Sequence, residues 1–140
     1  MQMGCRVMAS GSCLCGAVQF EVTAPLGSVQ ICHCSACRKA QGGAFGANIP
    51  VATADLRLLA GEDHLAAFES SPGKQRVFCR TCGSPIFSRL AQRPEVVRLR
   101  AGLLDNPTHT APASHAYVAS KADWWEITDD LPQHPDARPG

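Results

Sequence analysis

The sequence predicts a single, mainly-β domain stapled by zinc, and three observations carry that expectation. Apolar and polar residues alternate over short runs, as half-buried strands require. Glycine and proline fall between those runs, where turns are made. Seven of the eight cysteines fall into three tight clusters: Cys13-Leu14-Cys15, Cys32-His33-Cys34-Ser35-Ala36-Cys37 and Cys79-Arg80-Thr81-Cys82-Gly83.

The elements follow in chain order. Ala17 to Val22 alternates cleanly, with Val18, Phe20 and Val22 on one face, and Ala24-Pro25 ends it. Val29 to Cys32 is a second strand that delivers the middle cluster at its end. A turn or helical fragment is expected around Arg38-Lys39-Ala40, broken by Gly42-Gly43. Further strands are expected at Phe45 to Val51, Leu56 to Leu59, Ala66 to Phe68, Gln75 to Cys79, Val96 to Arg100 and Ala116 to Val118. Gly61, Pro72-Gly73, Arg93-Pro94 and Asn106-Pro107 punctuate them. No window shows helical periodicity over eleven or more residues. Residues 1–10 are expected to be a flexible N-terminus, 11–132 the zinc domain, and 133–140 a disordered, proline-rich tail.

At 140 residues the chain suits one core, since a domain of this size buries roughly 68–70% of its unfolded surface. The apolar share of 45% includes many alanines and the cysteines, and aromatics supply only 6%. Small side chains gain less from burial, so metal staples would contribute materially to stability. Thirteen basic and twelve acidic residues are interspersed, for a net charge of +1. No run of lysine or arginine offers a phosphate-tracking face, which argues against nucleic acid as a partner. No apolar stretch has bilayer-spanning length, so no membrane partner is expected. Residues Met1 to Val7 lack the apolar segment of a secretory signal, and the expected location is cytoplasmic. In a reducing compartment, clustered cysteines bind metal or react rather than pair as disulfides.

Cysteines two or three residues apart reach disulfide geometry poorly but chelate a tetrahedral zinc well. Cys13 and Cys15 with Cys79 and Cys82 make a complete set of four. Gly83 would allow a positive-φ turn that aims amides at the sulfurs. The competing reading is a redox pair at Cys79 and Cys82, against which stands the lack of any βαβ pattern. Cys32, Cys34 and Cys37 supply three thiolates, which leaves zinc a fourth position for water or an incoming ligand. The alternative is a closed site completed by His33, His109 or His115, of which His33 fits worst because its side chain points away from its neighbours in extended backbone. Arg38 and Lys39 follow directly and could hold a substrate carboxylate or stand as solvated charges. Cys5 lies outside the clusters with no assigned role. Trp124 and Trp125 point to different sides in extended backbone, so one would pack inward and the other line a rim.

These motifs resemble the glutathione-dependent formaldehyde-activating enzyme family, which also contains the centromere protein V domain. The resemblance rests on Gly11 to Gly16, Cys32 to Lys39, Phe78 to Gly83 and Ser120 to Pro132. It implies a fold of several coiled β-sheets, similar to the Mss4-like group. It also implies a structural zinc at Cys13, Cys15, Cys79 and Cys82 and a catalytic zinc at Cys32, Cys34 and Cys37. The implied activity is that of a carbon–sulfur lyase joining a glutathione-like thiol to a small aldehyde such as formaldehyde. A non-catalytic thiol carrier or sensor, and a two-zinc interaction module, are the other classes compatible with these residues.

Overall fold

The computed structural model describes residues 6–137, so Cys5 lies outside the described residues. The strands are β1 (Ala9–Ser12), β2 (Gln19–Val22), β3 (Val29–Cys32), β4 (Gly46–Ala52), β5 (Leu56–Ala60), β6 (Leu65–Ser71), β7 (Lys74–Cys79), β8 (Pro85–Leu90), β9 (Arg93–Arg100) and β10 (Pro112–Ala116). The helix α1 (Ser35–Gln41) lies between β3 and β4. One sheet has the order β1-β2-β5 and the other β10-β3-β4-β9-β8-β7-β6. Only β10 and β3 run parallel; every other pair is antiparallel. The mainly-β expectation is met, by two sheets.

Residues paired across antiparallel strands share a face, and that rule divides the larger sheet. Ile49, Leu99, Phe87 and Val77 stand in register on one face, joined by Val51 with Val97 and by Ile31. This face meets Val18, Phe20 and Val22 around β2 to form the core. Phe20, Ile49 and Leu99 are fully buried, and each such side chain contributes roughly 1.5–3 kcal/mol. The opposite face carries Gln30, Asn48, Arg76, Ser88, Arg98 and Arg100, a polar set that no aqueous-core argument requires.

Most strands fall where the alternation placed them, with three differences. β1 is a run of alanine, serine and glycine too short and small to register as periodic. β8 escaped because Ile86, Phe87 and Ser88 are all buried, which erases alternation. The last strand was expected at Ala116 to Val118 but ends at Ala116, because Tyr117 takes φ 56° and turns the chain. The stretch expected to trail off from residue 133 is instead held on the body through Asp136. Gln133 bridges His115, and the amides of Tyr117, Val118 and Ala119 donate to the carbonyls of Asp136, His134 and Pro135. No helix among the described residues is long and apolar enough to cross a membrane.

Candidate metal centres

The fold brings seven sulfurs into two groups. Cys13 and Cys15 follow β1 in the small sheet, while Cys79 ends β7 in the large one and Cys82 follows it. Their four Sγ atoms all lie within 4.8 Å of one another. Cys13 to Cys15 is 3.6 Å and Cys15 to Cys79 is 3.8 Å. A tetrahedral zinc with bonds near 2.3 Å separates its sulfurs by roughly 3.8 Å, so this donor set fits the metal. The redox-pair alternative is left without support, since each of Cys79 and Cys82 sits within the group of four.

Two matched turns build this group. Gly16 and Gly83 take φ 81° and 80°, and their amides bond back to the carbonyls of Cys13 and Cys79. Left-handed φ is what glycine supplies at little cost. The Gly83 amide therefore meets a carbonyl, and it is the Val18 N–H that reaches sulfur, 3.3 Å from Cys13 Sγ. Burial opposes ionisation of Cys13, yet the Val18 amide and neighbouring thiols hold its pKa below the ordinary value. Ser84 Oγ accepts the Leu14 N–H and lies in hydrogen-bonding contact with the Cys82 thiol at 3.3 Å. That hydroxyl, with the Ser84 amide, brings Cys82 down to about 5. Cys15 is pushed up to about 11, because burial and the thiols of Cys13, Cys82 and Cys79 outweigh a hydrogen bond from the Ala17 amide.

The second group lies at the end of β3 and the start of α1. The Sγ atoms of Cys32, Cys34 and Cys37 are also mutually within 4.8 Å. Cys34 caps the helix, its sulfur accepting the Cys37 N–H at 3.3 Å, and Cys37 is buried on the inner side of the helix. Three sulfurs at this spacing again suit zinc, with one position short of a tetrahedron. Hydrogen bonds from Cys32 and Cys34, with Arg76 nearby, hold the Cys37 thiol well below its usual value. Hydrogen bonds with Cys34 and Cys37, and burial, drive the Cys32 thiol well up.

Arg76, from β7, places Nη1 and Nη2 each 3.9 Å from Cys37 Sγ, a contact between a strand and α1 that the sequence did not single out. Arg100 is buried beside Asn48, to whose Oδ1 its Nη1 donates, and burial pushes its pKa down to about 10. Groups that hydrogen-bond metal ligands commonly tune affinity by about ten- to a hundredfold. Arg76→Gln is accordingly expected to weaken metal binding at the three-cysteine cluster by about that factor. Competition with a chromophoric chelator would measure it, with the four-cysteine cluster as the unchanged internal reference.

None of the three candidate histidines joins a cluster among the described residues. His109 is exposed at φ 57°. His33 and His115 are buried and stacked at 5.0 Å, and His33 Nε2 lies 2.8 Å from His115 Nδ1. His115 Nε2 lies 3.0 Å from Asp129 Oδ2. With both rings neutral, the carboxylate's accepting role makes His115 donate from Nε2 and accept at Nδ1, so that His33 donates from Nε2. His33 Nδ1 is left as a buried lone pair with no partner. Phe45 meets His33 edge-on at 5.6 Å and Trp125 meets Phe45 at 5.8 Å, while Trp124 is exposed. Arg38 is half-buried and Lys39 exposed in the last turn of α1, where cations favour the helix end.

The Leu131 N–H and then the His115 hydrogen bond hold the Asp129 carboxyl below its ordinary value. A carboxylate depressed in the folded state stabilises it above the unfolded pKa, and that contribution fades as pH falls through the folded one. The stability gap between wild type and Asp129→Asn should therefore be open at pH 6 and close below about pH 4. Urea unfolding at a series of pH values would show it.

The sequence profile described as glutathione-dependent formaldehyde-activating enzyme matches residues 8–120. The chain belongs to that family. A Halomonas elongata relative, provisionally named a glutathione-dependent formaldehyde-activating enzyme, is 34% identical over 130 residues, covering 86% of this chain and 82% of its own length. An Aspergillus flavus relative with the same provisional name is 29% identical over 118 residues, and this chain spans 54% of its length. A crystal structure of a Rhodobacter sphaeroides protein superposes with a TM-score of 0.60 at 26% identity, covering 74% of this chain and 99% of that one. The profile match of this glutathione-dependent formaldehyde-activating enzyme family takes in both cysteine groups.

Proposed function

We propose that this protein is a zinc-dependent carbon–sulfur lyase that joins a glutathione-like thiol to a small aldehyde such as formaldehyde, or reverses that addition. The observation that carries the reading is the inequality of the two sulfur groups. Cys13, Cys15, Cys79 and Cys82 offer a full tetrahedron, while Cys32, Cys34 and Cys37 offer three sulfurs with no fourth ligand among the described residues. Of the three histidines that could have completed the set, His33 and His115 bond to each other and His109 is exposed outside the group. The family's name supplies the thiol and the aldehyde.

A zinc held at the three cysteines would supply Lewis acidity and a coordination position that favours a thiolate over a thiol. The protein's own contribution is placement and charge. Cys34 and Cys37 are fixed by the first turn of α1, Cys32 by the last position of β3, and Arg76 offsets the negative field of three thiolates. In the reaction, a substrate sulfur lone pair forms a bond to the aldehyde carbon. The carbonyl π pair moves to oxygen, which takes the proton that the thiol gave up. Holding both reactants at one place converts a bimolecular encounter into a nearly unimolecular one.

Formation of S-(hydroxymethyl)glutathione from glutathione and formaldehyde, followed by exchange NMR with and without zinc-loaded protein, tests this. Acceleration over the protein-free mixture supports the lyase reading. Saturable thiol binding with no acceleration would replace it with a thiol carrier.

A further inference from the structure

The polar face of the seven-stranded sheet is charged in a way that neither sulfur group explains. Arg76 on β7, Ser88 on β8 and Arg98 on β9 stand side by side in register, and Lys74 lies two residues along from Arg76 on the same face. Lys74, Ser88 and Arg98, though not Arg76, line a cavity of about 360 Å³ whose walls include Gln30, Pro50 and Tyr117. That volume is within the range of small-molecule sites. Four of its lining residues are basic (Lys74, Arg89, Arg93 and Arg98) and none is acidic.

Two of the four are already answered. Arg93 lies 3.6 Å from Glu95, and Arg89 donates to the Gln75 carbonyl oxygen. Lys74 and Arg98 have neither a carboxylate partner nor a hydrogen bond to sulfur among the described residues. Arg76 is the cation in direct contact with Cys37, while Lys74 feels the Cys37 and Cys34 sulfurs only through space. Lys74 is half-buried, and burial first, then the charges of Arg76 and Arg98, depress its pKa. Arg98 is exposed and keeps its hydration, whereas the partial burial of the Lys74 charge costs free energy that a bound anion would offset. Arg38 and Lys39, the cations next to the cluster in sequence, do not line this cavity.

The cavity lies on the same side of β3 as Cys32, which stands two residues beyond Gln30. Cys34 and Cys37 lie within electrostatic reach of Lys74, and Arg76 spans the interval. We infer that Lys74 and Arg98 form a carboxylate-binding subsite, which selects small thiols bearing a carboxylate over neutral thiols by holding that group while the sulfur approaches Cys32, Cys34 and Cys37. The sulfur half of this statement rests on the proposed function; the carboxylate half does not.

The test is calorimetric titration of the zinc-loaded protein with glutathione, glutathione dimethyl ester and S-methylglutathione, for wild type, Lys74→Gln and Arg98→Gln. Wild type is expected to bind glutathione about tenfold or more tightly than the ester, since charge-assisted hydrogen bonds are lost. Each variant should lose about tenfold for glutathione and little for the ester. S-Methylglutathione, which has no free thiol, should show the same dependence on Lys74 and Arg98 at lower affinity. Equal binding of glutathione and ester by wild type overturns the subsite, and so does undetectable binding of both. Unchanged affinity in both variants overturns it as well. Equal binding of glutathione and S-methylglutathione, with the ester still disfavoured, removes the thiol reading and leaves the carboxylate subsite standing.

Discussion

Cys79→Ser is expected to leave the protein without a cooperative thermal transition at room temperature and with about one zinc fewer per chain. Serine is nearly isosteric, so the change leaves no cavity of consequence. What it removes is one thiolate of four. Cys79 is fully buried at the end of β7, and its sulfur meets Cys15, 64 residues earlier in the turn between two strands of the other sheet. The group therefore fastens the three-stranded sheet to the seven-stranded one. Closing so long a loop is where a metal clip stabilises most, because the unfolded chain loses the most freedom. Structural zinc in small peptides is worth on the order of 10–16 kcal/mol, against about 5–15 kcal/mol for a whole domain.

The core does not compensate by size. Aromatics are 6% of the chain, and the buried set is dominated by valine, isoleucine, alanine and cysteine. Circular dichroism on heating, with zinc measured by elemental analysis, decides the matter. A variant melting within a few degrees of wild type would mean that the four sulfurs are not a staple.

What could be read from the chain and what could not divides along local and non-local physics. Strands such as β2 and β3 were legible because one buried face writes a two-residue period, with Phe20 and Val22 or Val29 and Ile31 pointing inward. The cysteine groups were legible because chelate spacing is local, even where the two halves lie far apart. Arg76, Arg100 and Asp129 were not. Each reaches its partner only through sheet register or the path of the C-terminal segment, neither of which leaves a local mark. A weak signal did exist for the basic face. Lys74-x-Arg76 and Arg98-x-Arg100 repeat every two residues, which in a strand places both members on one side. His33 was rightly turned away from the sulfurs by the same alternation, but its pairing with His115 follows from the parallel β10–β3 ladder, which no local pattern announces.

Cys34→Ser should do the opposite of Cys79→Ser: keep the fold, lose one zinc per chain, and abolish thiol binding. Cys32, Cys34 and Cys37 lie on one short stretch of chain, so joining them restricts the unfolded state little. Cys34 is also half-exposed, and its structural duty is to cap α1 by accepting the Cys37 N–H. Serine is among the best residues for that position, so the cap survives the substitution. What disappears is a thiolate, and two sulfurs hold zinc far less well than three. The same atom-for-atom exchange thus tests structure at one group and chemistry at the other. Thermal melting, zinc content and glutathione titration on the two variants side by side give the comparison. Collapse of Cys34→Ser to the behaviour of Cys79→Ser would make both groups staples. Undiminished glutathione affinity in a folded Cys34→Ser would move thiol binding away from the three-cysteine group altogether.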